Sequence, residues 1–221
     1  LSFFVLGLLT SVPEFSLGIN AVVSSEPEIF VGNLIGGSIT LMLLVISVLA
    51  ILGKGIKLYH KLDEKNLMLA LLTIIAPVFF IADNLVTRTE AVFLMILYLI
   101  LVYFVEKKKG LLEKITDQLT TEKRFFVYDL GGIFIGIIMI FFASRFIVDK
   151  TVYFSQLLNL PLFLVSLLIL PLGTNLPEFS IAVRSILSKK KEIAFGDYLG
   201  SAAANTLIFG FLTLVHGQRI N

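Results

Sequence analysis

The stretch Thr10-Ser11-Val12-Pro13-Glu14-Phe15-Ser16 returns as Thr174-Asn175-Leu176-Pro177-Glu178-Phe179-Ser180. The offset of 164 residues holds without a gap from 10–41 to 174–205, and 10 of the 32 paired positions are identical. Glu28-Ile29 pairs with Glu192-Ile193, Gly32 with Gly196, and Gly36 with Gly200. Each copy sets an acid directly behind a proline inside an apolar segment. In hydrocarbon that pairing is costly twice, once for the charge and once for the broken helix. A chain that carries it twice, at matching places, has a use for it.

Composition sets the class. With 57% hydrophobic residues and a mean hydropathy of +0.96 over 221 residues, the chain is not a soluble domain. Apolar runs long enough to cross a bilayer recur along it. There is no cysteine, which excludes a disulfide framework, a thiolate nucleophile and a thiolate metal site. The chain opens on Leu1, already inside an apolar run and without an initiator Met or a signal-peptide n-region, as a piece of a longer protein would.

Seven spans are expected, at about 1–23, 29–52, 66–83, 90–105, 127–148, 160–187 and 193–215. Residues 1–105 form a first half, 106–126 a charged connecting segment, and 127–221 a second half. The loops alternate in basic content. Lys54, Lys57, Lys61 and Lys65 follow the second span, and Lys107, Lys108, Lys109, Lys114, Lys123 and Arg124 follow the fourth. Lys189, Lys190 and Lys191 follow the sixth, with Arg184 nearby, so 14 of the 18 basic residues fall on one side. By the positive-inside rule the loops 53–65, 106–126 and 188–192 are cytoplasmic. The turn of the first copy, Ser24-Ser25-Glu26-Pro27, then lies outside, and that of the second, at 188–191, lies inside. The fold class expected is an all-α polytopic membrane protein with inverted repeats and two Pro-interrupted helices. Such repeats are a signature of alternating-access transporters, with a midplane site between them.

The breaks have a chemistry. Proline cannot donate to the carbonyl four residues earlier, so Pro13 frees that of Leu9 and Pro177 that of Gly173, loosening Thr10 and Thr174. A free carbonyl at membrane depth needs water, a neighbouring helix or a cation. Glu14 and Glu178 add negative charge at the same level. Two such acids facing each other repel or share a proton, whereas a divalent cation removes both penalties. Hard oxygen ligands suit calcium or sodium and disfavour soft metals. Two monovalent ions or protons could replace one calcium there, which is a physical basis for antiport. The second helix of each copy carries Gly32-x-x-x-Gly36 or Gly196-x-x-x-Gly200, and small residues four apart let it approach the broken helix closely. Ser201 and Asn205 follow on one face, and Asn205 offers a neutral oxygen inside an apolar helix.

These cores, T-S-V-P-E and T-N-L-P-E, the second copy followed by G-x-x-x-G-S, resemble the two alpha repeats of the cation/calcium antiporter superfamily, which includes the sodium/calcium exchangers. The family has ten spans, and the resemblance covers the second through the eighth. It implies that Glu14 and Glu178 are the central ion ligands, joined by the main-chain carbonyls of Thr10 and Thr174. It also implies side-chain roles for Ser11, Asn175, Ser201 and Asn205 in flanking sodium sites. The implied function is exchange of calcium, or a similar cation, for sodium or protons, with no resident cofactor. The lipid bilayer and the ions are the implied partners. Three positions depart from the pattern. Gly37 stands where a Ser is expected, Leu41 where an Asn or Asp is expected, and Asn175 opposite Ser11. The calcium-type acids are intact, but one flank of the monovalent sites is stripped.

Two other readings stand beside this one. A degenerate, non-transporting membrane scaffold of the same fold is suggested by Leu41. An intramembrane aspartyl protease is suggested by Tyr128-Asp129 and Phe195-Gly196-Asp197. Against the protease, Ala194 replaces the first Gly, and both Asp fall near span ends. Asp197 is instead expected to cap the last helix, as Asn33 would in the first copy. His60 and His216 are expected to be solvated, and Asp83 and Asn84 to mark an interface. No phosphate-binding loop is present, and the basic loops lack the aromatic platform of a nucleic-acid binder.

Overall fold

The computed structural model describes residues 3–47, 51, 64–82, 85–107, 123–188 and 191–217. Lys54, Lys57, His60, Lys61, Asp83, Asn84, Lys189 and Lys190, and the connecting segment from 108 to 122, lie outside the described residues.

The first expected span is two helices, α1 (Phe3–Thr10) and α2 (Val12–Val23), joined at Ser11. The second is α3 (Pro27–Ile39), continued by a π-helical turn over Thr40–Val45. Then come α4 (Glu64–Phe80) and α5 (Arg88–Lys107). The fifth is α6 (Lys123–Leu158), and the sixth is three pieces, α7 (Leu162–Leu168), α8 (Leu170–Thr174) and α9 (Leu176–Leu187). The last is α10 (Lys191–His216).

The two Pro-Glu motifs break the chain in the same way. Ser11 sits at φ −82°, ψ 10°, and Asn175 at φ −89°, ψ 15°, each one residue before a new helix whose first turn holds the proline. In that turn the missing N–H would have had no intrahelical acceptor, so the ring is tolerated there. The second break bends Leu162–Thr174 against Leu176–Leu187 by 44°. Pro171 makes a further break at Ile169, beyond the one expected in this span. It removes the N–H that would have bonded the Leu167 carbonyl.

Helix α6 runs well past the expected end at 148, through Asp149 and Lys150 to Leu158. Polar residues alone do not stop a helix, and neither Gly nor Pro occurs between Gly136 and Pro161. The stop is Asn159 in the left-handed region (φ 53°), two residues before Pro161. Among the described residues, three helices are long and apolar enough to cross a bilayer: Arg88–Val105, Gly131–Leu158 and Phe195–His216. The bent pair from Leu162 to Leu187 makes a fourth crossing when taken as one span, and Val12–Val23, Pro27–Leu43 and Lys65–Phe80 are shorter apolar helices.

Burial separates these helices. The apolar stretch of α10 is 78% buried, that of α6 only 11%. Large side chains on α6, among them Phe134, Met139, Phe142 and Phe146, face outward, as lipid-facing residues do in a protein of this composition. The outer helix is pinned to α2 by Asn20, whose amide donates to the Phe141 carbonyl (3.1 Å) and to Ser144 Oγ (2.8 Å). Small residues on α10, Gly200 and Ala202 to Ala204, let its neighbours close in.

The closest approaches cross between the two copies. A Cβ on Gly36 would strike the Leu167 carbonyl and lie 2.6 Å from Pro171 Cγ. A Cβ on Gly7 would strike the backbone of Gly200 and Ser201. Residues 7 and 200 become 171 and 36 under the 164-residue offset, so one contact is made twice with the partners exchanged. That reciprocity is the mark of two repeats related by a pseudo-twofold axis. Glu28 adds a polar link of the same kind, accepting from the Phe163 amide (3.2 Å) in the first turn of α7.

Candidate ion-binding site

Each break delivers one carboxylate. Glu14 and Glu178 lie in the first turns of α2 and α9, are 1% and 0% exposed, and are near enough for their charges to interact. They come from different repeats, so the site exists only when the repeats pack.

On the Glu178 flank the Ser201 hydroxyl donates to Glu178 Oε1 (2.7 Å). Ser201 Oγ is also 3.2 Å from Thr10 Oγ1 and 3.1 Å from Ser11 Oγ, both on the first repeat's broken helix. Ser11 in turn donates to the Gly7 carbonyl (2.8 Å). The flank is a closed hydroxyl network.

The Glu14 flank is the twin position and is built differently. Gly37 occupies the place of Ser201, so no hydroxyl reaches Glu14 from α3. A Cβ on Gly37 would lie 3.1 Å from Asn205 Nδ2 and 3.4 Å from Asn175 Nδ2. The two amides fill the space that a serine side chain would need. Their NH₂ groups are spent on backbone carbonyls, Asn175 on Pro171 (2.8 Å) and Asn205 on Leu34 (3.4 Å). The Thr174 hydroxyl sits beside Glu14 but donates to Asn33 Oδ1 (3.3 Å).

The consequence is a set of buried acceptors without donors. Both oxygens of Glu14, Oε2 of Glu178, and Oδ1 of Asn175 and of Asn205 have no hydrogen-bond partner. Buried polar oxygens are otherwise nearly always paired, and the exceptions mark sites with a function or a bound ion. Among the described residues no three of His, Cys, Asp and Glu converge as one metal group. The donor set is therefore two carboxylates with neutral oxygens, which suits a hard cation. Two apolar clefts reach this region. One of about 250 Å³ between α3 and α4 has Asn205 in its wall, and one of about 410 Å³ beside α2, α5 and α10 has Ser11.

Some expectations are corrected. Asp197 does not cap α10: the helix begins at Lys191, which puts Asp197 in its second turn, fully buried. Asn33 likewise lies inside α3 and not at its end. The side chain of Asp129 lies outside the described residues. Leu41 leaves the site altogether and packs in an apolar cluster with Ala70, Ile74, Tyr98 and Ala202. It falls in the π-helical turn, where the helical phase slips. His216, in the last turn of α10, is partly buried. Sequence reasoning gave Asn33 no part beside Thr174. The signal available was a neutral amide paired by the offset with an acid inside an apolar helix.

Paired broken helices that bury two carboxylates between them define a class: a multi-pass helical membrane protein with inverted repeats and a pair of acids buried where they meet. The chain belongs to the sodium/calcium exchanger protein family, whose sequence profile matches residues 1–106 and 128–221. It is 26% identical over 212 residues to the inner membrane protein YrbG of Escherichia coli, covering 92% of this chain and 65% of that protein. It is 27% identical over 214 residues to the putative antiporter CaxA of Alkalimonas amylolytica, covering 93% and 66%. The chain thus spans slightly under two thirds of the length of these relatives. The crystal structure of the H+/Ca2+ exchanger CAX shares the fold, with a TM-score of 0.69 at 16% identity over 100% of this chain and 62% of that one.

Proposed function

We propose that this chain forms the ion-exchanging core of a membrane antiporter that moves calcium, or a similar cation, against sodium or protons by alternating access. The observation that carries this reading is the meeting of Glu14 and Glu178 in a buried site where five oxygens lack donors, three of them on the two acids and one each on Asn175 and Asn205. An uncompensated carboxylate in a buried site costs several kcal/mol, and two side by side cost more. One divalent cation offsets both. In this reading the Glu14 and Glu178 oxygens hold the ion, with Oδ1 of Asn175 and Asn205 and the carbonyls of Thr10 and Thr174 beside it. Ser11 and Ser201 position Glu178. The basic loops face the cytoplasm, and release to either side follows from rocking of the repeats against each other.

The test is calcium flux into vesicles containing the full-length protein, under sodium and then proton gradients. Glu14→Gln and Glu178→Gln are each expected to cut flux by at least about 100-fold, the scale of breaking a buried charge pair. Unchanged flux in both variants overturns the assignment. The bare positions Gly37 and Leu41 favour a second reading, a non-transporting scaffold of the same fold. Absence of flux under both gradients, from folded wild-type protein, selects it.

A further inference from the structure

Six prolines occur in the chain, and five of them stand where helices start. The sixth, Pro77, lies inside α4. Its ring carries no N–H and pushes back the carbonyl four residues earlier, that of Thr73. A carbonyl released within an apolar helix at membrane depth needs a donor from elsewhere. The Thr206 hydroxyl of α10 supplies it, at 2.9 Å. Thr73 does not serve itself, because its own hydroxyl donates to the Leu69 carbonyl (2.8 Å). Both threonines are buried, so the bond is shielded from bulk water.

The tie falls beside the ion site. Thr206 follows Asn205, whose Oδ1 is one of the donorless oxygens. One residue turns a helix by about 100°. Helix α10 thus sends the Asn205 amide to Leu34 on α3 and the Thr206 hydroxyl to Thr73 on α4. One turn earlier, Ala202 and Ala203 share an apolar cluster with Ala70 and Ile74 of α4. Packing is thinner at Asn205 itself. The cleft of about 250 Å³ between α3 and α4 has Asn205, Phe209 and Pro77 in its wall. Side chains that face a cleft lack contact atoms on that side. The Asn205 amide is held by one long bond, 3.4 Å to the Leu34 carbonyl. A bond from the next residue to α4 makes up for what packing does not supply. The offset pairs Thr206 with Met42, which lines the same cleft and has no hydroxyl, so the first repeat carries no such donor there.

We propose that Thr206 is a positioning residue for the ion site. By taking the carbonyl that Pro77 releases, it holds the turn of α10 that presents Asn205, and so sets where the Asn205 oxygen stands. This inference rests on the reading of Asn205 as a neutral donor to the cation between Glu14 and Glu178. Calcium takes its oxygens at about 2.3–2.6 Å, so a shift of α10 by a fraction of an ångström reaches its affinity.

The experiment is equilibrium binding of radioactive calcium to purified full-length protein, set beside thermal melting measured without calcium. Thr206→Val removes the hydroxyl and leaves the Thr73 carbonyl without its donor. It is expected to lower the melting temperature and to weaken calcium binding at least about fivefold, whereas Thr206→Ser stays within about twofold of wild type. Adding Pro77→Ala to Thr206→Val gives the carbonyl a donor inside α4 again. Melting is then expected to recover, while calcium binding stays at least about fivefold weak, because α4 and α10 are still untied. Calcium binding that recovers together with melting overturns the proposal, since the threonine then only satisfies a stray carbonyl. Melting that Pro77→Ala does not recover also overturns it, because the carbonyl released by Pro77 is then not what the hydroxyl holds. So does a serine variant as weak as the valine one. Should Thr206→Val not fold, the double variant carries the test. Calcium binding that survives Glu14→Gln sinks the reading of the site. Calcium binding lost in Glu14→Gln but unchanged in folded Thr206→Val sinks this proposal alone.

Discussion

Ser201 and Gly37 occupy the same place in two copies of one motif, and the difference between them fixes how each acid is held. Glu178 receives a hydroxyl proton at 2.7 Å, and Glu14 receives none. A hydrogen bond to a charged group is worth about 1.5–3 kcal/mol. Ser201→Ala is therefore expected to shift calcium affinity by at least about tenfold, read by equilibrium binding. At the twin place the neighbouring glycines should respond in opposite ways. A Cβ on Gly37 meets the ends of two flexible amides at 3.1 Å and 3.4 Å, which can turn aside. Gly37→Ala should cost less than about 1 kcal/mol. A Cβ on Gly36 meets the Leu167 backbone, which cannot move without moving α7. Gly36→Ala should cost about 2–3 kcal/mol. Thermal melting of the two variants side by side checks both figures, and equal melting points would show that the α3–α7 contact has room for a methyl group.

At the scale of elements, the prolines matter by ending one helix and starting another. Pro13 and Pro177 stand in first turns, where alanine restores an N–H that can bond the carbonyl four residues earlier and carry the helix through the break. Pro13→Ala and Pro177→Ala are expected to change stability by less than about 1 kcal/mol, since proline is tolerated in this turn. Flux is expected to fall at least tenfold, because a continuous helix would draw each carboxylate out of line with its partner. Melting that drops sharply in either variant would show that the breaks serve packing and not the site. The spans show where sequence reading works and where it fails. Pro13 and Pro177 announce breaks at Ser11 and Asn175 because a missing N–H acts within one turn. Asp149 and Lys150 looked like a loop, yet α6 passes through them, since polar residues can face water or headgroups without leaving the helix. The π-helical turn over Thr40–Val45 has no sequence signal of this kind.

For the whole molecule, the question is orientation. The exposed turns at Ser24 and Ser188 are related by the same 164-residue offset, and the positive-inside rule predicts opposite sides of the membrane for them. These 221 residues hold no cysteine, so Ser24→Cys and Ser188→Cys each place one thiol among them, and labelling is read against the unsubstituted protein. An impermeant maleimide applied to intact cells is expected to label the first and spare the second until the membrane is opened. Labelling of both from one side would remove the inverted arrangement. The crossed contacts at Gly7 with Gly200 and at Gly36 with Pro171 are related by the same pseudo-twofold axis.

The sequence alone determined the membrane class, the duplication, the two breaks and the two acids that follow them. These are local or compositional matters: hydropathy, a missing amide proton and a repeat offset can be read without knowing what touches what. Only the tertiary structure decided that Asn175 and Asn205 fill the gap left at Gly37 and that Leu41 turns into the core. It also decided that Asp197 lies buried, with no donor to either carboxylate oxygen. Each of those depends on which side chains from distant parts of the chain share a volume, and exclusion of one atom by another has no signature along the chain.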